Sequence, residues 1–247
     1  MRRLTAVVVA ILFLAVIGLV AWGVVDGRTA AKPWMACSGE DKSIAGPKRI
    51  EACDQVIKSG RLGAVTLPQV YSKRAALYFG TKNYPAAIGD YDRALGYEPK
   101  NPQSLNQSCW ARAVAGIELD KALELCSLAL SQDSADDTVN NVVIESAPET
   151  DPEVPVILNP AILDSRGLVN LKRGAFAAAL ADYEAALKAD ANSAHYLYGR
   201  GIAELKLGDI EAGRADLAAA IKKEPKIASI YAGYGMPVEA AASPAVF

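Results

Sequence analysis

The chain has one histidine, His195, among 247 residues, and neither sign of charge dominates it. Its 26 basic and 28 acidic residues leave a formal net charge of −2, which excludes a strongly basic nucleic-acid-binding surface and a disordered polyelectrolyte. A triad or metal site would depend on His195 alone, and the H-E-x-x-H, G-x-S-x-G and G-x-x-x-x-G-K-[ST] patterns are absent. We therefore expect no catalytic site, no metal, no cofactor and no nucleic-acid partner.

Long apolar runs are also scarce, and the one that exists lies at the N-terminus. Residues 4–25 follow Arg2 and Arg3 and carry no charge. A helix of this length rises about 33 Å, which is enough to cross the core of a bilayer. The run predicts a single membrane anchor within residues 1–31. The alternative is a signal peptide cleaved after Ala31.

The orientation of the anchor is not decided by charge, because basic residues flank it on both sides. The very short N-terminal tail resembles that of secretory signals, and the chain has cysteine pairs that suit an oxidising compartment. We therefore expect a single-pass protein of the inner membrane with its soluble part on the periplasmic, extracytoplasmic side.

The rest of the sequence is organised by an internal repeat. Four segments of twelve residues share large and small side chains at steps of three and four, which place them on one helical face. Each follows another helical segment, so a helix-turn-helix unit recurs. The segments begin at Tyr84, Leu119, Phe176 and Ile210. The last two repeats are 34 residues apart.

These units resemble the tetratricopeptide repeat (TPR), a helix pair of 34 residues. The family's small or packing positions 20, 24 and 27 are occupied by Ala87, Tyr91 and Ala94 in repeat 1, Ala122, Cys126 and Ala129 in repeat 2, Ala179, Tyr183 and Ala186 in repeat 3, and Gly213, Leu217 and Ala220 in repeat 4. The resemblance implies an all-α solenoid of the membrane-anchored, exported bacterial type. A generic alanine-rich helical bundle is the alternative.

The predicted organisation follows from this register. A degenerate first repeat or cap occupies residues 32–66, repeats 1 and 2 occupy residues 67–135, and repeats 3 and 4 with a terminal helix occupy residues 161–235. An acidic, proline-rich insertion loop at residues 136–160 splits the array into two pairs, since helix is unfavourable there. A flexible tail is expected at residues 236–247.

The four cysteines fall into two pairs in this register. Cys37 with Cys53, and Cys109 with Cys126, occupy positions 8 and 24 of their repeats. Those positions face each other between the two helices of a TPR unit, so we predict two disulfides. Buried free thiols are the alternative. Neither pair has the C-x-x-C spacing of a redox or zinc site.

The resemblance also implies a binding surface, because the first helices of TPR units line a concave groove that holds peptides. At positions 5, 9 and 12 the predicted partner-binding residues are Ser72, Ala76 and Phe79 in repeat 1, Asn106, Trp110 and Ala113 in repeat 2, Asp164, Leu168 and Leu171 in repeat 3, and Tyr198, Ile202 and Leu205 in repeat 4. Positions 9 and 12 form an apolar stripe, and Trp110 is its expected anchor. Coverage of the stripe by a cap, the insertion or a second copy is the alternative.

The family's carboxylate-binding clamp needs Lys and Asn where repeat 1 has Ser72 and Ala76, so a cytosolic co-chaperone role is not expected. The sequence predicts a non-catalytic interaction module or assembly scaffold tethered to the membrane. The alternative function is an accessory subunit or chaperone for an envelope enzyme or secretion machine. Nothing in the sequence sets the number of copies.

Overall fold

The computed structural model describes residues 33–40, 43–60, 66–133, 142–144 and 156–238, and nearly all of them are helical. A short helix, α1, occupies residues 33–38. The others are α2 (Gly46–Lys58), α3 (Leu67–Gly80), α4 (Tyr84–Tyr97), α5 (Pro102–Ala115), α6 (Leu119–Asp133), α7 (Pro160–Lys172), α8 (Phe176–Ala189), α9 (Ala194–Leu207), α10 (Ile210–Lys223) and α11 (Ile227–Gly233).

The helix boundaries follow from local chemistry. Asn101, Asn159 and Ser193 precede α5, α7 and α9, and each side chain accepts a hydrogen bond from a backbone N–H of the first turn. Such bonds satisfy donors that the helix itself leaves unpaired. Gly116 and Gly208 end α5 and α9 in the left-handed conformation, which glycine adopts without steric cost. The short turns between paired helices are therefore encoded locally.

Consecutive helices pack against each other along the whole array, from α2 to α11. The first helices also pack on one another, α5 on α7 and α7 on α9. The main apolar core runs through repeats 2 to 4 and the terminal helix, while smaller clusters lie around Cys37 and Cys53 and between α3, α4 and α5. Each repeat is thus stabilised chiefly by its neighbours.

The insertion contains the one departure from an all-helical fold within the described residues. Two strands, β1 (Val142–Ile144) and β2 (Val156–Leu158), pair antiparallel with Val142 opposite Leu158. An apolar run of three residues on each side of the proline-rich stretch permits this ribbon, so the prediction of a loop over residues 136–160 is wrong at these two strands. The insertion does not separate the two pairs of repeats, because α6 and α5 both pack directly on α7.

Both predicted cysteine pairs are bonded, Cys37 to Cys53 and Cys109 to Cys126. All four cysteines are fully buried. Cross-links that close 16- and 17-residue loops are each worth about 3 kcal/mol through the unfolded chain. The first one joins α1 to α2 in an apolar cluster of only six buried residues, where little other burial is available.

Repeats 1, 3 and 4 have no disulfide, and each carries an ion pair at nearly the same place instead. Arg74 with Asp90, Arg166 with Asp182, and Arg200 with Asp216 join the two helices of repeats 1, 3 and 4. In every case the residues are 16 apart and occupy positions 7 and 23, next to the cysteine positions 8 and 24. Repeats with a disulfide lack this pair, so each unit has one strong link between its helices.

The predicted membrane anchor, residues 4–25, lies outside the described residues. Among the helices that the structure describes, none has the length and apolar character needed to span a bilayer. At the other end, Met236 and Val238 of the predicted flexible tail pack against the main core, because they follow α11, which itself packs on that core. Residues 239–247 lie outside the described part.

Candidate functional site on the face of the first helices

The first helices α3, α5, α7 and α9 form one side of the array, called here the first-helix face. All twelve predicted partner-binding residues lie on these helices, but their exposure differs. Ala113, Leu168, Leu171, Tyr198 and Ile202 are buried in the main core. The other seven, from Ser72 to Leu205, are half-buried or exposed. The face is therefore not a continuous open apolar stripe.

The open part lies between α3 and α5, where a groove of about 520 Å³ follows the two helices. Eight of its ten lining residues are polar, and they include one lysine and one glutamate. The lining consists of Pro68, Gln69, Ser72, Lys73, Ala76, Glu98, Asn101, Gln103, Ser104 and Gln107. Backbone-rich, extended segments suit such a surface, since amides and hydroxyls both donate and accept.

Of the residues predicted from the sequence, only Ser72 and Ala76 line this groove. The remaining lining residues lie outside positions 5, 9 and 12 of the repeats, from which the partner-binding residues were predicted. A signal was available: positions 2 and 6 are polar in both repeats, with Gln69 and Lys73 in repeat 1 and Gln103 and Gln107 in repeat 2. These positions neighbour position 5 on the same helical surface.

At its C-terminal end the first-helix face is contacted by α11 and by Tyr234, which directly follows α11. The Tyr231 ring lies 4.7 Å from that of Tyr198, and its hydroxyl donates to the His195 carbonyl at 2.9 Å. The Tyr234 ring packs edge-on against Trp110 at 5.4 Å. The expected anchor, Trp110, is thus half-buried under a residue of the same chain. Aromatic packing of this kind explains why the stripe is filled over repeats 3 and 4.

Two polar side chains on the first-helix face, Asp164 and Asn106, have an oxygen without a hydrogen-bond partner among the described residues. The half-buried carboxylate of Asp164 forms no hydrogen bond or ion pair with any residue that the structure describes, and burial raises its pKa to about 7. The Oδ1 atom of Asn106 is buried without a partner in hydrogen-bonding geometry, whereas the buried Tyr183 hydroxyl lies beside the Tyr231 hydroxyl. Unsatisfied buried polar groups are uncommon and costly.

Asp164 acts electrostatically on the rings around it. Burial, and secondly the Asp164 charge, raise the pKa of Tyr196 and Tyr234 to about 12. The same two causes raise the pKa of the fully buried Tyr183 well above its ordinary value. Above pH 7 this region therefore holds a negative charge among tyrosines that stay protonated.

Nothing in this part of the molecule resembles a catalytic centre. His195 lies 3.7 Å from Glu224 and 6.2 Å from the Tyr231 ring, with no nucleophile positioned beside it. Within the described ranges, no three His, Cys, Asp or Glu side chains are grouped to hold a metal.

The helix pairs and their packing define the class: the chain has the fold of tetratricopeptide repeat proteins, as the repeat pattern predicted. No protein-family model and no curated protein matches the sequence. The evidence for the class is thus the structure itself.

Among solved structures, the chain is similar to MamA from Desulfovibrio magneticus, with a TM-score of 0.60 at 10% identity over 80% of this chain and 96% of that one. A tetratricopeptide repeat protein from Parabacteroides merdae matches with a TM-score of 0.58 at 16% identity, over 85% and 75% of the two chains. A thermophilic TPR protein from Thermus thermophilus gives 0.54 at 14%, over 83% and 97%. Identities this low show the fold alone.

Proposed function

We propose that the chain is a non-catalytic scaffold that binds a segment of a partner protein in the open groove between α3 and α5. The observation that carries the proposal is the groove itself: it is polar and accessible, whereas five of the predicted residues on α5, α7 and α9 are buried in the main core. Binding by such a surface uses main-chain and side-chain hydrogen bonds and requires no reaction chemistry.

The proposal includes tethering to the inner membrane through residues 4–25, with the repeats on the extracytoplasmic side. Two features support it: the uncharged run of 22 residues and the two closed disulfides, which persist in oxidising compartments. A tether raises the local concentration of the scaffold near partners at the same membrane. The alternative function, an accessory subunit or chaperone, differs from a scaffold because it releases its client protein.

Filling the groove is expected to abolish partner binding. Ser72→Trp places an indole in the groove, whereas Ser127→Trp places one on the exposed surface of the second helix α6. We expect copurification from crosslinked, detergent-solubilised cells to lose the Ser72→Trp partners at least tenfold and to retain those of Ser127→Trp. Both variants should melt within about 2 °C of the wild type, because surface substitutions rarely change stability much.

Equal partner recovery from the two variants would contradict the proposal. Extended washing separates the two functions, because a scaffold retains the same stable set of proteins whereas a chaperone loses its client. If Ser72→Trp lowers the melting temperature sharply, the shorter Ser72→Glu, which adds charge without a ring, replaces it in the same comparison.

A further inference from the structure

The part of the chain that follows α11 approaches one end of the open groove. The Tyr234 ring, directly after α11, packs edge-on against Trp110 of α5 at 5.4 Å. Gln107, which lines the groove, comes three residues before Trp110 in the same helix, and residues at this spacing are neighbours on a helical surface. Tyr234 therefore contacts α5 about one helical turn from the groove.

Tyr234 also lies near the α3 side of the groove. Phe79 of α3, three residues after the groove residue Ala76, packs edge-on against Tyr84 at 5.4 Å. Burial and the Asp164 charge raise the pKa of Tyr234 to about 12, and the nearby Tyr84 hydroxyl adds to this rise. The aromatic rings at this end of the groove thus connect Tyr234 to both helices that form its walls.

Residues 239–247, called here the tail segment, continue the chain from this place and are long enough to fill the groove. Met236 and Val238 pack against the main core, as does Trp110. The distance along α5 from Trp110 back to Pro102, its first residue, is about 12 Å. Nine residues extend up to about 30 Å, so the whole groove is within reach of the tail segment.

The chemistry of the groove matches that of the tail segment. Lys73 is exposed in the groove and pairs with no carboxylate that the structure describes, whereas the carboxylate of Glu98 accepts a hydrogen bond from Asn101 at 3.2 Å. The groove therefore lacks an anion. The tail segment supplies one, since Glu239 is its one charged side chain, and residues 240–243 are small. Small side chains let a backbone approach the amides and hydroxyls of the groove walls.

We propose that the tail segment of the same chain occupies the open groove until a partner segment displaces it, with Glu239 paired to Lys73. This inference rests on the proposed function, since it describes the regulation of the same groove. The tail segment competes at a high effective concentration because it is tethered beside the groove. The scaffold therefore retains only those partners that bind more tightly than its own tail.

The test is photocrosslinking within the purified full chain in detergent, without a partner, with p-benzoylphenylalanine at position 72 or 107 in the groove. Trypsin cleaves after Lys226 and leaves residues 227–247 in one peptide, so mass spectrometry detects its adducts and fragment ions locate them. From both groove positions we expect adducts on the tail segment, in protein that runs as a monomer on a denaturing gel. Position 127, exposed on α6, should give none.

A charge exchange tests the pairing of Glu239 with Lys73. Glu239→Lys should lower the yield of the tail adduct at least fivefold, and the double variant Glu239→Lys/Lys73→Glu should restore most of it. Glu51→Lys is the matched control, since it makes the same change on the exposed surface of α2 and should leave the yield intact.

Four results would each overturn the inference. They are the absence of adducts on residues 239–247, adducts that instead join two copies or another part of the chain, a yield that Glu239→Lys leaves unchanged, and a double variant with no more adduct than Glu239→Lys alone.

Copurification distinguishes this inference from the proposed function. Because Glu239→Lys frees the groove, it should raise partner recovery from crosslinked cells at least threefold over the wild type. Recovery that this variant leaves unchanged or lowers overturns regulation by the tail segment, while partner loss in Ser72→Trp leaves the scaffold proposal standing. Full partner recovery from Ser72→Trp overturns the scaffold proposal, whatever adducts the purified chain gives.

Discussion

Replacing Arg166 with methionine is expected to lower the free energy of unfolding by about 3–5 kcal/mol, because it leaves a buried carboxylate without its counter-ion. Asp182 is 4% exposed. It accepts hydrogen bonds from Nε and Nη2 of Arg166 at 3.0 and 2.6 Å and from Asn170 at 2.9 Å. Burial raises the pKa of Asp182, and the bonds from Arg166 and Asn170 oppose that rise.

The measurement is guanidinium unfolding of the purified chain at pH 7.5, followed by circular dichroism. Arg173→Met is the matched control, because Arg173 pairs with an Asp120 side chain that is 87% exposed, and exposed pairs contribute less than about 1 kcal/mol. The double variant Arg166→Met/Asp182→Leu should recover much of the loss. Equal destabilisation by Arg166→Met and Arg173→Met would show that the helix link of repeat 3 does not stabilise the array.

Replacing Asp164 with asparagine is expected to stabilise the protein at pH 8, by at most about 4 kcal/mol. Burial raises the pKa of Asp164 from 3.8 to about 7, so folding at pH 8 carries the cost of a poorly solvated, unpartnered charge. Below pH 3.8 the carboxyl is neutral in both the folded and unfolded chains, and that cost is absent. The wild type therefore loses stability as the pH rises from about 4 through 7.

The measurement is the melting temperature of wild type and Asp164→Asn across pH 4 to 8. The melting temperature of the variant should rise steadily relative to that of the wild type as the pH rises, and the two melting temperatures should be closest at pH 4. Glu51→Gln, with an exposed side chain on α2, should follow the wild type throughout. A variant that is less stable than the wild type at pH 8 would mean that Asp164 has a stabilising partner in the folded chain. Stability given up at a contact site is the common pattern when a surface is kept for binding.

Much of the fold was predictable because TPR units are specified locally. Helical spacing, small residues such as Ala87 and Ala179, and cap residues such as Asn101 act within one repeat, and the 34-residue period then sets how units stack. The cysteine pairs followed from the same register. The Arg–Asp links were missed although their signal is equally regular, with Arg74 and Asp90 spaced like Arg200 and Asp216, because charged residues on helices are usually solvated.

The candidate site was less predictable because it depends on where α11 lies. The sequence places Tyr231 and Tyr234 on a short terminal helix, but only their contacts with Tyr198 and Trp110 decide that the apolar stripe is covered. Likewise, the raised pKa of Asp164 becomes evident only once the structure shows that no described basic side chain pairs with its carboxyl group. Long-range packing of this kind carries no periodic signal. Of the twelve predicted residues, seven are half-buried or exposed and five are buried, so the sequence pattern did not predict which part of the face is accessible.

The central claim is that partners contact the groove between α3 and α5 and not the outer layer of second helices. The most direct test is site-specific photocrosslinking in cells, with p-benzoylphenylalanine at position 72 or 107 in the groove and at position 127 on α6. We predict a discrete adduct with a partner protein from positions 72 and 107 and none from position 127. Adducts from position 127 alone would contradict the claim and place the binding surface on the second helices.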